Sequence, residues 1–476
     1  MEYQEIIDRK KKIVTSAIKA IPDPIIADVK KRYAQKCKRS VQYFERAKQV
    51  IPAGLEHNLG LLHPYPLTMK TASKASIWDI DENEYVDYMM AGGPIILGHK
   101  FPQLDEKVIA LIENYGPSTG LTCESEILCA EEIAKHMPSV EMVRFLASGT
   151  EADMLAVRVA RAYTGKKKII KIAGSYHGWS DQFLLSSDYP GTGNAHASGI
   201  PQDSYAHTIE LMPNDFEGLY RLFEENRDKD GIAAIIAEPT GGHAGTFPNH
   251  PDWNKTLRKV CDEFGALLIF DEVITGFRLA LGGGQEYYNV LPDITILGKI
   301  ITHGYPSCGA VAGSREIMSV CHPGGTHGKK AFTGGTLSAN PISTTAGYYS
   351  IKYIEEYGAI DKASDYGDRI TNKLNELFAT RKDLPFFAYN IRSIIHVETA
   401  CPSGAFLVSK DIDSQLAEQK RRAKAAEDIY MALLDQGVLM LGDCKRMYTC
   451  MQHDDASLKK TLNAWENVLS MIPVEG

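Results

Sequence analysis

The sequence predicts an α/β protein with a large, mostly parallel sheet, helices on both faces of it, and a smaller α/β domain formed by the chain ends. Between residues 100 and 330, short apolar runs alternate with longer helical patterns, which is typical of strand–helix–strand units. A long helical pattern and a mixed α/β segment follow residue 341. We expect N-terminal helices and a linker over 1–75, the large domain over 76–335 and the small C-terminal domain over 336–476.

The strands of the large domain are predicted where apolar runs separate the helical patterns. They cover residues 142–147, 168–172, 232–237, 266–270, 294–297 and 308–312. A hairpin is predicted over 76–88, where two alternating runs flank a polar turn. Another helix is predicted from Ser343 to about Tyr357.

The first fifty residues are predicted to form two amphipathic helices separated at Pro22-Asp23-Pro24, because apolar residues recur there at helical spacing. This segment is rich in lysine and arginine and includes Arg9-Lys10-Lys11-Lys12. We interpret that basic run as a solvated helix face, with a nucleic-acid or membrane arm as the weaker alternative.

Composition narrows the functional classes. The chain has 476 residues, of which 44% are hydrophobic and 24% charged, and these values are ordinary for a globular protein. A net charge of −8 argues against a general nucleic-acid binder. No apolar run has the length of a membrane span, and no secretory signal is recognisable. The nine cysteines include no Cys-x-x-Cys pair, so we expect reduced thiols, a cytoplasmic location and no metal site.

A lysine and a carboxylate follow two of the predicted strands. Lys299 comes after the run 294–297, and Asp271 comes directly after the run 266–270. Pyridoxal phosphate needs such a pair, because a lysine holds its aldehyde as a Schiff base and a carboxylate keeps its pyridine nitrogen protonated. A surface lysine at a strand end is the commoner alternative, so this interpretation depends on the rest of the chain.

Three further segments fit a cofactor that carries a phosphate. Residues 148–150, Ser-Gly-Thr, open a predicted helix and offer backbone amides and hydroxyls to an anion, although an ordinary helix cap has the same pattern. Tyr176 follows a strand and offers a flat ring for stacking, although it is also typical of a packed loop. The hydroxyls and amides of residues 333–338 offer a second phosphate contact.

Together these segments resemble the class III, fold-type I, pyridoxal-phosphate-dependent aminotransferases, and most closely the glutamate-1-semialdehyde 2,1-aminomutase-like branch. The resemblance covers roughly residues 50–350 well and the C-terminal segment loosely. The matching motifs, in order, are residues 142–152, 174–178, 237–239, 268–278, 297–299 and 335–341. Six ordered motifs at family spacing make the resemblance specific, and residues 76–335 are then the cofactor-binding domain.

The resemblance implies roles for individual residues. Lys299 is implied to be the Schiff-base lysine and the proton carrier, and Asp271 to pair with the pyridine nitrogen. Thr336 is implied to reach the phosphate of the neighbouring subunit, so we expect a homodimer with shared active sites. The cofactor-binding residues that the resemblance implies are Ser148, Gly149, Thr150, Tyr176, His177, Glu238, Asp271, Val273, Lys299 and Thr336.

The chain departs from the aminomutase branch on the substrate side. Gly60 stands near the position of the arginine that grips the substrate carboxylate in that branch, and Ala91-Gly92 replaces its Ser-Trp. We therefore expect a different substrate. The candidate substrate-binding residues are His57, Asn58 and His303.

The preferred function is an aminotransferase that moves an amino group from an amino acid or ω/β-amino compound to a keto acid by a ping-pong mechanism. The alternatives are an aminomutase or epimerase, which the same branch contains, and an ammonia-lyase on the same cofactor.

Overall fold

The computed structural model describes residues 1–474 except 61, 63, 117–119, 188–189, 194, 196, 228–229, 327, 408–410 and 443–444, and omits the side chains of 59 and 412. The chain divides into two compact units. The chain-end unit comprises Met1–Phe101 and Asp361–Gly476, and the central unit comprises Pro102–Ile360. The predicted α/β class is confirmed. The predicted domain boundaries at 75/76 and 335/336 lie inside the two units.

The described part of the chain forms these helices: α1 Tyr3–Thr15, α2 Asp23–Lys36, α3 Lys38–Ala47, α4 Pro102–Asn114, α5 Glu124–His136, α6 Gly149–Thr164, α7 Phe216–Glu225, α8 Gly242–Gly245, α9 Trp253–Phe264, α10 Gly283–Tyr288, α11 Arg315–Met318, α12 Pro341–Glu356, α13 Ala359–Ala379, α14 Ile412–Asp435 and α15 Asp455–Met471. Its strands are β1 Met69–Ser73, β2 Ser76–Asp79, β3 Glu84–Asp87, β4 Met142–Leu146, β5 Lys168–Ile172, β6 Thr208–Leu211, β7 Ile232–Ala237, β8 Phe247–Pro248, β9 Leu267–Asp271, β10 Ile294–Gly298, β11 Gly309–Gly313, β12 Phe387–Ile391, β13 Ile394–Glu398, β14 Val438–Leu439 and β15 Arg446–Tyr448.

The central unit contains a seven-stranded sheet in the order β4-β11-β10-β9-β7-β5-β6. The pairs from β10 to β6 are parallel, and β11 is antiparallel to both of its neighbours. Successive residues of a strand point to opposite faces, so both faces of this sheet require cover. On β7, Ile236 packs in a core with α6, and Ile235 packs in a separate core with α7 and α9.

The six predicted strands of the large domain are confirmed to within a residue or two at each end. The predicted hairpin is confirmed as the antiparallel pair β2–β3. Strand β6 was not predicted, because its sequence Thr208-Ile-Glu-Leu is half polar and its pattern is too short to stand out. It lies at the edge of the sheet and pairs with β5 alone among the described strands.

The prediction of two N-terminal helices is wrong, because the segment forms three, α1 to α3. The second break falls at Cys37, whose φ of −113° and ψ of 39° interrupt the helical path between α2 and α3. No glycine or proline marks this position. Instead the Cys37 side chain is fully buried, with its Sγ 3.7 Å from a carboxylate oxygen of Asp79 and 3.6 Å from the Tyr85 hydroxyl.

The interpretation of the basic run Arg9–Lys12 as a solvated face is wrong at Lys10. Lys10 is only 2% exposed and lies on the same buried face of α1 as Ile6 and Ile13. Its Nζ lies 2.7 Å from Oε1 of Glu398 at the end of β13. The lysine is buried because a buried carboxylate faces it, and the sequence near Lys10 contains no trace of that distant partner.

Helix α1 is also anchored at its C-terminal end. Arg422 of α14 is buried and donates to the carbonyl oxygens of Ile13 at 3.2 Å and Val14 at 2.9 Å. The same guanidinium donates to the carbonyl oxygen of Ala400 at 3.1 Å. A cation at the last turn satisfies free carbonyls and complements the helix dipole, so α1 is an integral part of the chain-end unit. Within the described residues, no helix combines the length and apolar character that a membrane span requires.

Candidate active site

The site lies at the edge of the seven-stranded sheet where the parallel strands end. Asp271 is the last residue of β9, and Lys299 follows Gly298, the last residue of β10. The two strands are neighbours, with Asp271 opposite Ile296 in the register. In open parallel sheets, ligands bind beyond the carboxyl ends of the strands, so the fold itself brings this lysine and this carboxylate to one place.

Asp271 is held by two donors. Its Oδ2 lies 2.7 Å from Nδ1 of His177, and its Oδ1 accepts the backbone N–H of Val273 at 3.0 Å. His177 is fully buried, and Asp271 is 6% exposed. A carboxylate only accepts, so Nδ1 of His177 carries the proton and donates it. The carboxylate is therefore fixed in direction before any ligand arrives.

The adjacent acid, Glu272, serves a different purpose. Its carboxylate accepts from the Thr275 hydroxyl at 2.6 Å and from the backbone N–H groups of Gly284 at 2.6 Å and Gln285 at 2.9 Å. These donors satisfy a buried charge and fix the segment after β9 to α10. Of the two neighbouring acids, Asp271 is therefore the one available to a cofactor.

Val273 connects the lysine to the segment that opens α6. A Cβ added to Gly298 would lie 3.1 Å from the Val273 side chain, and one added to Gly149 would lie 3.3 Å from it. Both glycines therefore permit close approach to Val273. The half-buried Lys299 has a φ of +45°, a conformation that non-glycine residues rarely adopt. Such strain is typical of functional positions.

The start of α6 is a capped helix N-terminus joined to two neighbouring segments. Ser148 is the N-cap, and its hydroxyl accepts the backbone N–H of Glu151 at 3.2 Å. The Glu151 carboxylate accepts the backbone N–H of Ala147 at 2.8 Å, which holds the acid to the preceding strand. The Thr150 hydroxyl accepts the backbone N–H of Trp179 at 3.4 Å and so joins this turn to the loop after β5. Free amides at a helix N-terminus suit a phosphate.

Glu238 joins the loops after β5 and β7. Its Oε1 accepts the backbone N–H of Tyr176 at 3.2 Å and of His243 at 2.9 Å. Its Oε2 accepts the backbone N–H of Ala244 at 2.7 Å. These bonds hold His243 and Ala244 at φ values of +51° and +54°. The Tyr176 ring is 47% exposed, which leaves it accessible for stacking on a flat ligand.

The remaining predicted residues lie in different places. Thr336 is exposed in a turn before α12. His303 is buried just after the short turn that follows Lys299, with a φ of +50°. His57 and Asn58 are exposed and belong to the chain-end unit, so the three substrate candidates are divided between the two units.

One buried residue beside His177 and Asp271 was not among the predicted site residues. Asp153, on the first turns of α6, is 1% exposed, and one of its carboxylate oxygens lies within 4.8 Å of ligand atoms of both His177 and Asp271. Burial first, and then the charges of Asp271 and Glu238, raise the pKa of Asp153 well above its ordinary value. The signal was present in the sequence, because Asp153 precedes Val157 by one helical turn and so falls within the buried stripe of α6.

The fold and the site define an enzyme of the pyridoxal-phosphate class. A lysine at a strand end, a buried carboxylate on the neighbouring strand, a helix N-terminus capped by Ser148 and an exposed tyrosine all belong to the central unit. Contacts connect them, from Gly149 through Val273 to Gly298, and from Asp271 through His177 to the loop that carries Tyr176. The donor set fits the cofactor, because each chemical part of it has a matching group.

The chain belongs to the class III aminotransferase family, whose model, "Aminotransferase class-III", matches residues 62–469. The chain is 36% identical over 438 residues to a glutamate-1-semialdehyde 2,1-aminomutase of Methanocaldococcus jannaschii, covering 91% of this chain and 99% of that protein. It is similar in structure to an omega-transaminase from Sphaerobacter thermophilus, with a TM-score of 0.80, 29% identity and coverage of 90% and 97%.

A second solved structure is described as a transaminase with PLP bound. It gives a TM-score of 0.79 at 29% identity, with coverage of 91% of this chain and 97% of that one. The predicted family, fold and cofactor are thereby confirmed. The protein is a class III enzyme that uses pyridoxal 5′-phosphate and acts on small molecules.

Proposed function

We propose that this enzyme is an aminotransferase that moves an amino group from an amino acid or ω/β-amino compound to a keto acid by a ping-pong mechanism. The observation that carries the proposal is Gly60, which stands near the position where the aminomutase branch has its carboxylate-gripping arginine. Among the described atoms, none lies within 4 Å of a Cβ added at Gly60. The similarity to an omega-transaminase supports the same function.

The proposed roles follow from the geometry. When bound, the cofactor supplies a ring that accepts electrons from the substrate carbon. Lys299 would hold the cofactor through its amine and, once released, would take a proton from the substrate Cα or return one to it. Asp271, held by His177, keeps the ring nitrogen protonated. Val273 packs against the ring.

The phosphate and the outer face of the ring require further groups. Ser148, Gly149 and Thr150 hold the phosphate at the start of α6, and Tyr176 stacks on the ring. Glu238 acts by fixing the loop of Tyr176, since its described bonds are to backbone amides. Thr336 is proposed to reach the phosphate of a second copy of the chain, in a cytoplasmic homodimer.

An aminomutase is the second candidate, and a specific observation favours it. The chain shares 36% identity with an aminomutase over almost the whole of both proteins. An ammonia-lyase would use the same cofactor groups and differ only in the fate of the substrate after the proton leaves Cα.

The deciding experiment incubates the purified enzyme with candidate amines in the presence and absence of pyruvate or 2-oxoglutarate. Turnover that depends on the keto acid supports transfer. Rearrangement of one substrate without a keto acid and without free ammonia supports the aminomutase. Release of ammonia supports the lyase. Glutamate-1-semialdehyde is included among the substrates, and its efficient isomerisation would overturn the proposal.

A further inference from the structure

Asp153 belongs to a buried cluster with His177 and Asp271. The three residues come from the start of α6, the loop after β5 and the end of β9. Their ligand atoms lie within 4.8 Å of one another. Within the described residues, Oδ1 of Asp153 and Nε2 of His177 are buried without a hydrogen bond. A buried carboxylate in such surroundings requires either a counter-charge or a proton.

Among the described residues, the charges that act on the pKa of Asp153 are those of acids. The groups that face Asp153 are Asp271, Glu238 and His177, of which two are acidic. Lys171, on the α6 side of β5, donates to the carbonyl oxygen of Leu185 at 2.9 Å. Two ionised acids this close in a buried site repel each other strongly, and a proton shared between them removes the repulsion.

The hydrogen bonds decide which acid carries that proton. Asp271 accepts from His177 and from the backbone N–H of Val273, and both bonds stabilise its ionised form. Oδ1 of Asp153 accepts no such bond. The proton therefore belongs on Asp153, which agrees with the pKa of Asp153 being raised.

We propose that Asp153 is a positioning residue: a neutral carboxylic acid that donates its proton in a hydrogen bond to Asp271 and holds that carboxylate toward the ring nitrogen of the cofactor. With His177 and Val273, Asp153 gives Asp271 a third fixed donor. A neutral donor orients the carboxylate and leaves it a single negative charge for the pyridinium. This inference rests on the assignment of Asp271 to the ring nitrogen.

The first test compares two variants of similar size, Asp153→Asn, which is neutral and keeps a donor, and Asp153→Leu, which has none. Apoenzyme affinity is measured for pyridoxal 5′-phosphate and for 1-deazapyridoxal 5′-phosphate, which lacks the ring nitrogen. The ratio of the two affinities reports how firmly that nitrogen is held. We expect Asp153→Asn to keep the wild-type ratio and Asp153→Leu to lower it about tenfold, as for the loss of one hydrogen bond.

Thr295→Val is the matched control, because Thr295 is equally buried and hydrogen-bonded but lies near the opposite end of β10. It should leave the ratio unchanged. An unchanged ratio in Asp153→Leu overturns the proposal, as does an equal loss of both affinities. A ratio that falls equally in Asp153→Asn overturns the neutral-donor role.

The second test uses the apoenzyme alone, so it holds even if the assignment of the ring nitrogen fails. The raised pKa means that the folded protein keeps a proton that the unfolded chain releases above the ordinary carboxyl pKa. Wild type should therefore lose stability relative to Asp153→Asn as pH rises, by up to tenfold in the folded-to-unfolded ratio per pH unit. Urea midpoints of both proteins from pH 5 to pH 8 measure this. A difference that does not change with pH overturns the proposal.

Discussion

Both units bury ionisable groups, but the buried charges are compensated differently in each unit. In the chain-end unit, Lys10 and Glu398 are opposite charges 2.7 Å apart, and both are almost inaccessible to water. In the central unit, the carboxyl groups of Asp153 and Asp271 lie in one buried cluster, with His177 as a donor to Asp271. The charges of Lys10 and Glu398 neutralise each other. The pair of Asp153 and Asp271 instead retains a negative charge at the proposed binding site.

The pKa values show the same contrast. Burial lowers the pKa of Lys10, but the charges of Glu398, Tyr389 and Cys401 and the hydrogen bond with Glu398 together outweigh burial, so the pKa ends well above its ordinary value. Burial raises the pKa of Glu398, but Lys10, Lys445 and His396 together outweigh burial, so the pKa ends below its ordinary value. For Asp153, burial and the neighbouring charges act in one direction. An opposite charge thus favours the ionised forms of Lys10 and Glu398, whereas neighbouring acids favour the protonated form of Asp153.

The largest expected effect is a loss of turnover without a loss of folding stability. Lys299→Ala should abolish turnover, by at least about 10⁴-fold, because it removes both the covalent attachment and the proton carrier. The thermal midpoint of the apoenzyme should change little. Steady-state rates and calorimetry measure the two quantities. Borohydride treatment of the yellow wild-type enzyme should fix the cofactor on Lys299, and retained turnover in the variant would remove that lysine from the mechanism.

Breaking the buried ion pair of Lys10 and Glu398 should instead reduce folding stability. Lys10→Met leaves Glu398 buried without its counter-charge and should cost about 3–5 kcal/mol of folding free energy. The double variant Lys10→Met, Glu398→Leu removes both charges and should recover most of that loss. Urea unfolding of the three proteins measures it. If the double variant is as unstable as the single one, the loss comes from packing and not from the unpaired carboxylate.

A smaller effect is expected at His177. His177→Phe keeps a buried ring but removes the donor to Asp271, which should lower turnover by about 10- to 100-fold, as for a hydrogen bond to a charged group worth about 1.5–3 kcal/mol. Cofactor affinity should fall with it, and both are measured on purified protein. Arg422→Met, in the chain-end unit, serves as the control, since it disturbs a buried cation far from the sheet edge in sequence. Normal cofactor affinity in His177→Phe would contradict the role of the histidine.

The smallest effect is the pH dependence of the ion pair. The pKa of Glu398 is lowered on folding, so its contribution is present above the ordinary carboxyl pKa and is lost as pH falls through the folded value. Below about pH 4, wild type should therefore lose up to about 1.4 kcal/mol per pH unit more than the double variant. Parallel slopes for the two proteins between pH 4 and pH 2.5 would show that Glu398 titrates normally.

Much of the cofactor site could be predicted because its residues are close in sequence to the strands that place them. Asp271 and Lys299 follow apolar runs that only a buried strand explains, and Ser148 precedes a helix with a clear buried face. For each of these residues, the neighbouring sequence pattern predicts the strand or helix end at which the residue lies. The substrate candidates lacked this support, since His57 lies outside the described helices and strands and Asn58 lies only in the short 3₁₀ helix Asn58–Gly60.

The missed features share one cause, which is a charged residue inside an apolar helical stripe. Lys10 lies one turn from Ile6 and from Val14, and Asp153 lies one turn from Val157. Lys10 was expected on a solvated face and Asp153 was assigned no role, because the groups that face these residues come from distant parts of the sequence. A buried charge is explained only by the group opposite it, and one helix contains no information on that group.

The strand order sets the distances between the groups that anchor the cofactor. Neighbouring strands of a sheet are about 4.8 Å apart, so Asp271 and Lys299 begin one strand apart, and Ser148 and Lys299 begin two strands apart with β11 between them. Gly309 opens β11 because a side chain there would overlap the carbonyl oxygen of Ser148. These separations depend on backbone hydrogen bonds and not on loop length. Loops that carry none of these groups can therefore vary in length without changing the separations that the sheet sets.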